Sequence, residues 1–402
     1  MHVFVINCGS SSLKYQLFRM PLEKPLCVGL VDRIGLDGGK WVHRVSPGAE
    51  EKSIEINQSM ADHGTALLEV VRLLTDPNAG LIKSTAEIDA VGHRVVHGGE
   101  TFASTTRITD EVKSKIRDLF SLAPLHNPAN LSGIEVAEKL FPGAIQVAVF
   151  DTAFHQSMPE VAFRYAIPRT FYTREKIRAY GFHGTSHKYV TEQAGRLLNK
   201  TDAKLISMHL GNGCSMTAVR GGRSLDTSMG FGPVGGLIMG TRSGDMDTAV
   251  IFHLIDQLKF SPSEVNELLN KKSGMLGLTG YSDMRDIRQA MEKGDREAQL
   301  AFHMYAYRIK KYIGAYTAVL NGLDALIFTG GVGEHDEMMR QTICSELEYL
   351  GVCLDKGKNQ SGPAGQRDIS REDAPVRIFV IAANEELEIA RQCYALIKPG
   401  EK

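Results

Sequence analysis

The sequence predicts a mixed α/β protein built by duplication, with two similar domains facing each other. Three observations carry this. A strand, a turn of small residues and a return strand occur as Val3-Phe-Val-Ile-Asn7 followed by Cys8-Gly-Ser-Ser-Ser12, and again as Leu205-Ile-Ser-Met-His-Leu210 followed by Gly211-Asn-Gly-Cys-Ser215. The two copies lie about half a chain apart, which suits paired domains rather than a solenoid. The length of 402 residues, with 43% hydrophobic and 23% charged residues, supplies cores for two domains or one large duplicated one.

The elements follow in order. Val3–Asn7 and Leu13–Phe18 read as a hairpin. Residues 61–75 read as a helix with Leu67, Leu68, Val71 and Leu74 on one face. Ile88–Val91 is a short strand running into Gly92-His93-Arg94. Leu131–Phe141 is a helix stopped by Pro142, and Ala144–Phe150 a strand ending at Asp151. In the second half, Lys204–Leu210 is a strand and Met216–Arg220 its return. Ser261-Pro-Ser-Glu264 has the form of a capping box with proline at the first helical position, opening a helix through Leu269. Arg296–Leu320 is a long helix stopped at Asn321-Gly322. Ala325–Thr329 is a strand that leads through Gly330-Gly-Val-Gly-Glu334 into a helix. Arg377–Ala382 is the last strand and Glu385–Leu396 the last helix; the polar stretch 361–373 reads as a surface loop.

The net charge of −1 gives no reason to expect a nucleic acid or an anionic membrane as partner. No stretch approaches the roughly 20 apolar residues of a membrane span, and the N-terminus lacks a basic region and a long apolar run. Six irregularly spaced cysteines read as reduced thiols, so the expected location is the cytoplasm.

Asn7-Cys-Gly-Ser-Ser-Ser-Leu-Lys14 is the strongest local feature. Glycine admits an anion close to the backbone, successive small residues turn N–H groups inward, and Lys14 adds a point charge. It joins strand to strand, so it is not a Walker A loop. Alone it could be an ordinary polar turn; with the matching turn at Gly211–Ser215, two phosphate-facing hairpins are the better account. Gly330-Gly331-Val332-Gly333 suits a nucleotide over a helix N-terminus, although a tight crossover turn would look similar. Arg94 and Arg242 each stand in glycine-rich surroundings where a guanidinium can reach a carboxylate or phosphoryl group; either alone also reads as a surface salt bridge. The pairs His93/His97 and His183/His187 have a spacing that can hold zinc on a helix, but His93 leaves a strand and the adjacent glutamate of a zinc protease is missing.

Together the motifs resemble the acetate kinase family, within the actin, sugar-kinase and heat-shock-chaperone ATPase superfamily. The resemblance covers nearly the whole chain and rests on Val5–Lys14, Gly92–Gly99, Val149–His155, Tyr180–His187, His209–Gly213, Met239–Asp245 and Asn384–Glu386. It implies a duplicated actin-like (ribonuclease H-like) ATPase fold with two domains around a central cleft, residues 1–151 plus 386–402 on the carboxylate side and 152–385 on the nucleotide side. It also implies residue roles. Asn7 and Glu385 would hold Mg²⁺, or Mn²⁺, through waters. Lys14 and the segment His209, Leu210, Gly211, Asn212 and Gly213 would contact ATP phosphates. Asp283, Met284, Arg285 and the run Gly331, Val332, Gly333, Glu334 and His335 would line the adenosine. Arg94 would hold the substrate carboxylate, and Val96, Leu125, Phe182 and Pro233 would wall the acyl pocket. His183 and Arg242 would stabilise the transferring phosphoryl group beside an essential Asp151. The implied partners are acetate, acetyl phosphate and ATP/ADP, in a homodimer. The sequence departs from the family pattern at Cys214, Val234-Gly235, Met284 and His335.

A carboxylate is already ionised at neutral pH, so the expected chemistry is in-line transfer without a strong base, with fixed cations offsetting the repulsion of two anions. Asp151 is then expected to orient Arg94 or a metal-bound water. Propionate or butyrate kinase is the alternative with the same chemistry. A nucleotide-driven binding module is the alternative class; it shares the phosphate turns but does not require Arg94, Arg242 and His183.

Overall fold

A computed structural model of the chain describes residues 1–9, 11–45, 52–78, 80–124, 126–360 and 365–398. The expected site residue Leu125, Ser10 of the first turn and residues 361–364 of the expected loop lie outside the described residues. The chain divides into two compact units, Met1–Ala153 with Asn384–Lys402, and Phe154–Ala383.

The first unit is built on a sheet of β1 (His2–Cys8), β2 (Ser12–Arg19), β3 (Pro25–Asp32), β4 (Lys40–Val45), β5 (Lys52–Asn57), β6 (Ala90–Val95), β7 (Thr106–Arg107) and β8 (Ile145–Phe150), in the order β5-β4-β3-β2-β1-β6-β8-β7. The second holds β9 (Lys204–Leu210), β10 (Cys214–Arg220), β11 (Arg223–Thr227), β12 (Ala325–Thr329), β13 (Arg367–Asp368) and β14 (Arg377–Val380), in the order β11-β10-β9-β12-β14-β13. The duplication is visible in the pairing. In β3-β2-β1-β6-β8 and in β11-β10-β9-β12-β14, three antiparallel strands are followed by two parallel ones reached through helical connections. The middle strands are covered on both faces, which is why Val3–Ile6 and Ala325–Thr329 read as continuous apolar runs.

The helix His63–Leu74 starts where the Asp62 side chain accepts the Thr65 N–H. It buries Leu67, Val70, Val71 and Leu74 in the core of the first unit, whereas Leu68, expected on that face, is exposed. The capping box at Ser261 and Glu264 forms, and the long helix Arg296–Leu320 ends at a left-handed Asn321. Three expectations are corrected. Gly92, His93 and Arg94 lie within β6 rather than after a strand. Cys214 and Ser215 already belong to the return strand. The polar stretch 361–373 contains β13 and the buried Ile369 and Ser370.

Candidate active site

In the first unit, Asn7, Arg94 and Asp151 sit at the carboxyl ends of three adjacent parallel strands, β1, β6 and β8. This is the end of such a sheet where ligands bind. The turn after β1 closes with the Gly9 N–H on the Ser12 carbonyl, and the register sets Asn7 opposite Lys14. His63 bonds the Gly9 carbonyl (2.8 Å), and the Asn130 amide donates to the Cys8 carbonyl (2.8 Å). Arg94 donates to both oxygens of Asp151 (3.0 and 2.5 Å) and to Asn7 Oδ1 (3.2 Å), and its Nε lies 3.7 Å from Glu385. Burial alone would lower the Arg94 pKa, but Asp151 and Glu385 outweigh it and hold the group above its ordinary value. Burial pushes the Asp151 carboxyl up, with Arg94 pulling it back. Glu386 is likewise pushed up, first by burial and then by Glu385.

Val96 lies one residue beyond β6. It is buried, and its N–H donates to Asn130 Oδ1 (3.1 Å), while Asn127 brackets His97 through both its N–H and its carbonyl. His93 bonds Gln146 (2.8 Å), and burial takes His93 and His97 down to about 4. Both are therefore neutral core groups. Among the described residues, no three His, Cys, Asp or Glu side chains are grouped so as to hold a metal ion.

In the second unit, His183 has φ 56°, a left-handed conformation uncommon for a residue with a Cβ, and caps the helix Gly184–Leu198. Its ring stacks on His209, with centroids 4.4 Å apart. Arg242 donates to the Pro233 carbonyl (2.8 Å), and burial lowers its pKa. A Cβ built on Gly213 would lie 3.2 Å from Arg242 Nη2 and 3.5 Å from His183 Nε2. Nitrogens of both side chains thus flank the space above Gly213, which a larger residue would fill. Gly240 is tighter still: a Cβ there would lie 1.9 Å from Asn212 Oδ1.

A cavity of about 550 Å³ opens beside this turn, a size suited to a small ligand. Gly211, Asn212, Asp283, Met284, Arg285, Gly331, Val332 and His335 line it. His209, Leu210, Gly213, Gly333 and Glu334 do not. Leu210 is a core residue, and the Cβ of a larger residue at Gly333 would rest against Phe328. The Glu334 carboxylate accepts the Gly330 and Ala383 N–H groups (3.0 Å each), so it staples the glycine turn to the chain after β14. Asp283 caps the helix Met284–Glu292 and is held to about 2 by Arg285. Phe182 is buried, and its carbonyl bonds His155 (3.0 Å).

Sequence reasoning missed several members. Met275, Ser282, Arg288 and Tyr305 also line the cavity. Arg340, fully buried, donates to the Gly333 and Glu334 carbonyls (2.9 Å each) and so fixes the glycine turn from beneath. Only the Gly-rich run itself pointed to this region; nothing local marks the buried arginine seven residues on.

Two copies of one strand arrangement, each ending its first strand at a small-residue turn, with a nucleotide-sized cavity in the second, define a duplicated ATPase-type fold of the actin-like class. A sequence model described as the acetokinase family matches residues 2–391, and the chain belongs to that family. It is 52% identical over 398 residues to the acetate kinase of Flavobacterium johnsoniae, covering 99% of this chain and 100% of that one. The crystal structure of Porphyromonas gingivalis acetate kinase superposes with a TM-score of 0.91 at 44% identity, covering 99% and 100% of the two chains. A propionate kinase from Francisella tularensis subsp. tularensis gives 0.89 at 41% identity, covering 97% and 98%.

Proposed function

We propose that the chain transfers the γ-phosphoryl group of ATP reversibly to acetate, giving acetyl phosphate and ADP. The observation that carries this reading is the pair of side-chain nitrogens, His183 Nε2 and Arg242 Nη2, flanking the space above Gly213 beside a nucleotide-sized cavity. The names of the similar enzymes supply the acceptor. In this reading the first unit serves the carboxylate and the second the nucleotide.

Arg94 is the carboxylate anchor. Asp151 accepts along one edge of its guanidinium and so orients it; this matches a reaction that needs no strong base. His183 and Arg242 donate to the equatorial oxygens as charge spreads over them, where preorganised donors act most strongly. Asn212 and Gly211 receive the phosphates, and Met284 and His335 wall the adenosine. Val96 is the wall of the acyl group that the first unit supplies.

Mg²⁺, which would neutralise charge on the phosphates, fits the first unit. Asn7, Asp151, Glu385 and Glu386 offer only oxygen donors, the hard set magnesium prefers. Burial first, and then the Glu385 charge, raises Asp151 and Glu386, so a cation among these carboxylates would relieve both. Asn7 and Glu385 would hold the ion through waters. The same reading makes the protein a cytoplasmic homodimer with no membrane or nucleic-acid partner. Among the described residues, no helix is long and apolar enough to cross a membrane.

Trapping acyl phosphate as hydroxamate, with ATP and acetate, propionate or butyrate in parallel, tests the proposal. Acetate-dependent hydroxamate supports it; ATP turnover indifferent to any carboxylate would favour a nucleotide-driven binding module.

A further inference from the structure

We propose that Ser207, His187 and Ser215 form a directed hydrogen-bond chain that holds His183 as its Nε2–H tautomer, a neutral donor. This deepens the reading above and rests on the phosphoryl group lying over Gly213. The chain crosses three elements. Ser207 Oγ on β9 lies 2.9 Å from His187 Nδ1 on the helix Gly184–Leu198. His187 Nε2 lies 2.7 Å from Ser215 Oγ on β10, and Ser215 Oγ lies 2.9 Å from His183 Nδ1.

Proton counting fixes the direction. A hydroxyl has one proton, and a neutral imidazole donates from one nitrogen only. His187 is neutral, because burial drives its pKa well below the ordinary value. Suppose first that His183 donated from Nδ1 to Ser215. Ser215 would then either accept from both rings, leaving its own buried proton unused, or donate to His187 Nε2, with His187 Nδ1 donating to Ser207. In the second case the Ser207 proton would be left in a fully buried position, and its hydroxyl has no other hydrogen-bond partner among the described residues. A buried donor without an acceptor is disfavoured. In the opposite direction every proton is used. Ser207 donates to His187 Nδ1, His187 Nε2–H donates to Ser215, and Ser215 donates to His183 Nδ1. The remaining proton of His183 then sits on Nε2, the atom beside Gly213.

The groups facing His183 agree with a neutral ring. Arg242 reaches the same space above Gly213, so a second cation there would be repelled. The stacked His209 has its Nδ1 bonded to Ser186 Oγ (2.8 Å). A neutral ring can donate to a phosphoryl oxygen from Nε2 only in this tautomer. Ser207, His187 and Ser215 are thus positioning residues: they touch no substrate, yet they set which nitrogen of His183 carries the proton.

The test is nitrogen-15 NMR of histidine-labelled protein at pH 8.5, with the His183 and His187 signals assigned by loss in His183→Gln and His187→Gln variants. Both rings should show a protonated Nε2 and an acceptor Nδ1; a protonated Nδ1 on either overturns the proposal. Kinetics give a second reading. Ser215→Ala should lower kcat by about 10-fold or more, within the range for weakening one preorganised donor, while the KM values for ATP and acetate change less than about twofold. His187→Gln, whose amide can still donate toward Ser215, should retain more kcat than His187→Ala; equal losses, or an unchanged kcat in Ser215→Ala, would overturn it. A wild-type protein without acetate-dependent phosphotransfer would instead sink the functional reading, and the NMR result would stand apart from it.

Discussion

Removing Arg94 separates what the arginine does for the fold from what it does for the reaction. Asp151 is 1% exposed, and both its oxygens accept from the guanidinium. Arg94→Ala therefore leaves a buried carboxylate without its main partner, a change that costs roughly 3–5 kcal/mol. Adding Asp151→Asn removes the orphaned charge, so the double variant should recover more than half of that loss. Activity should follow a different course. Both variants lack the proposed carboxylate anchor, and turnover should stay down by about 10²-fold or more in each. Urea unfolding gives the stabilities and hydroxamate formation the activities. The reasoning is refuted if Arg94→Ala is as stable as wild type, or if the double variant regains turnover along with its stability.

Other perturbations follow from the same geometry. Gly213→Ala puts a Cβ 3.2 Å from Arg242 and 3.4 Å from His183, so kcat should fall by about 10²–10³ with little loss of stability; near-normal kcat in a folded variant would move the phosphoryl site elsewhere. Val96→Ala should shift kcat/KM toward propionate by about 1–3 kcal/mol, and an unchanged propionate-to-acetate ratio would place the acyl wall elsewhere. Burial raises Asp226 to about 6 from 3.8, so its contribution to stability is full below about pH 3.8 and lost as pH rises through 6. At about 1.4 kcal/mol per unit this is roughly 3 kcal/mol at most. Asp226→Asn should therefore stabilise the protein more at pH 8 than at pH 5, and equal gains in urea melts at the two values would contradict the burial of that charge.

Much of the fold was legible where local rules decide it. The capping box at Ser261, the left-handed stop at Asn321 and the two small-residue turns are each specified within a few residues. The strands β3 to β5 were not, since Pro25 and Gly29 punctuate the first of them. Gly29 is small for a tertiary reason: a Cβ there would lie 1.9 Å from the Tyr15 ring. The helix Gly184–Leu198 was missed for a similar cause. Its buried first turn is Gly184, Thr185, Ser186 and His187, and its polar groups are satisfied by strands distant in sequence. The site divides in the same way. Motifs pointed to Arg94, Arg242 and His183, and Asp151 accepts from Arg94. Arg340 and the chain from Ser207 to His183 emerge only when separate elements pack together.

The central claim is that a carboxylate oxygen becomes bonded to the phosphorus that leaves ATP. Acetate labelled with oxygen-18 in both carboxylate oxygens tests this with unlabelled ATP and Mg²⁺. Acyl phosphate formed on the enzyme is cleaved by hydroxylamine at the acyl carbon, so the bridging oxygen leaves with the phosphate. The account predicts phosphate carrying one oxygen-18 in an amount equal to the hydroxamate formed. Phosphate released without label, at the same rate with or without acetate, would contradict it.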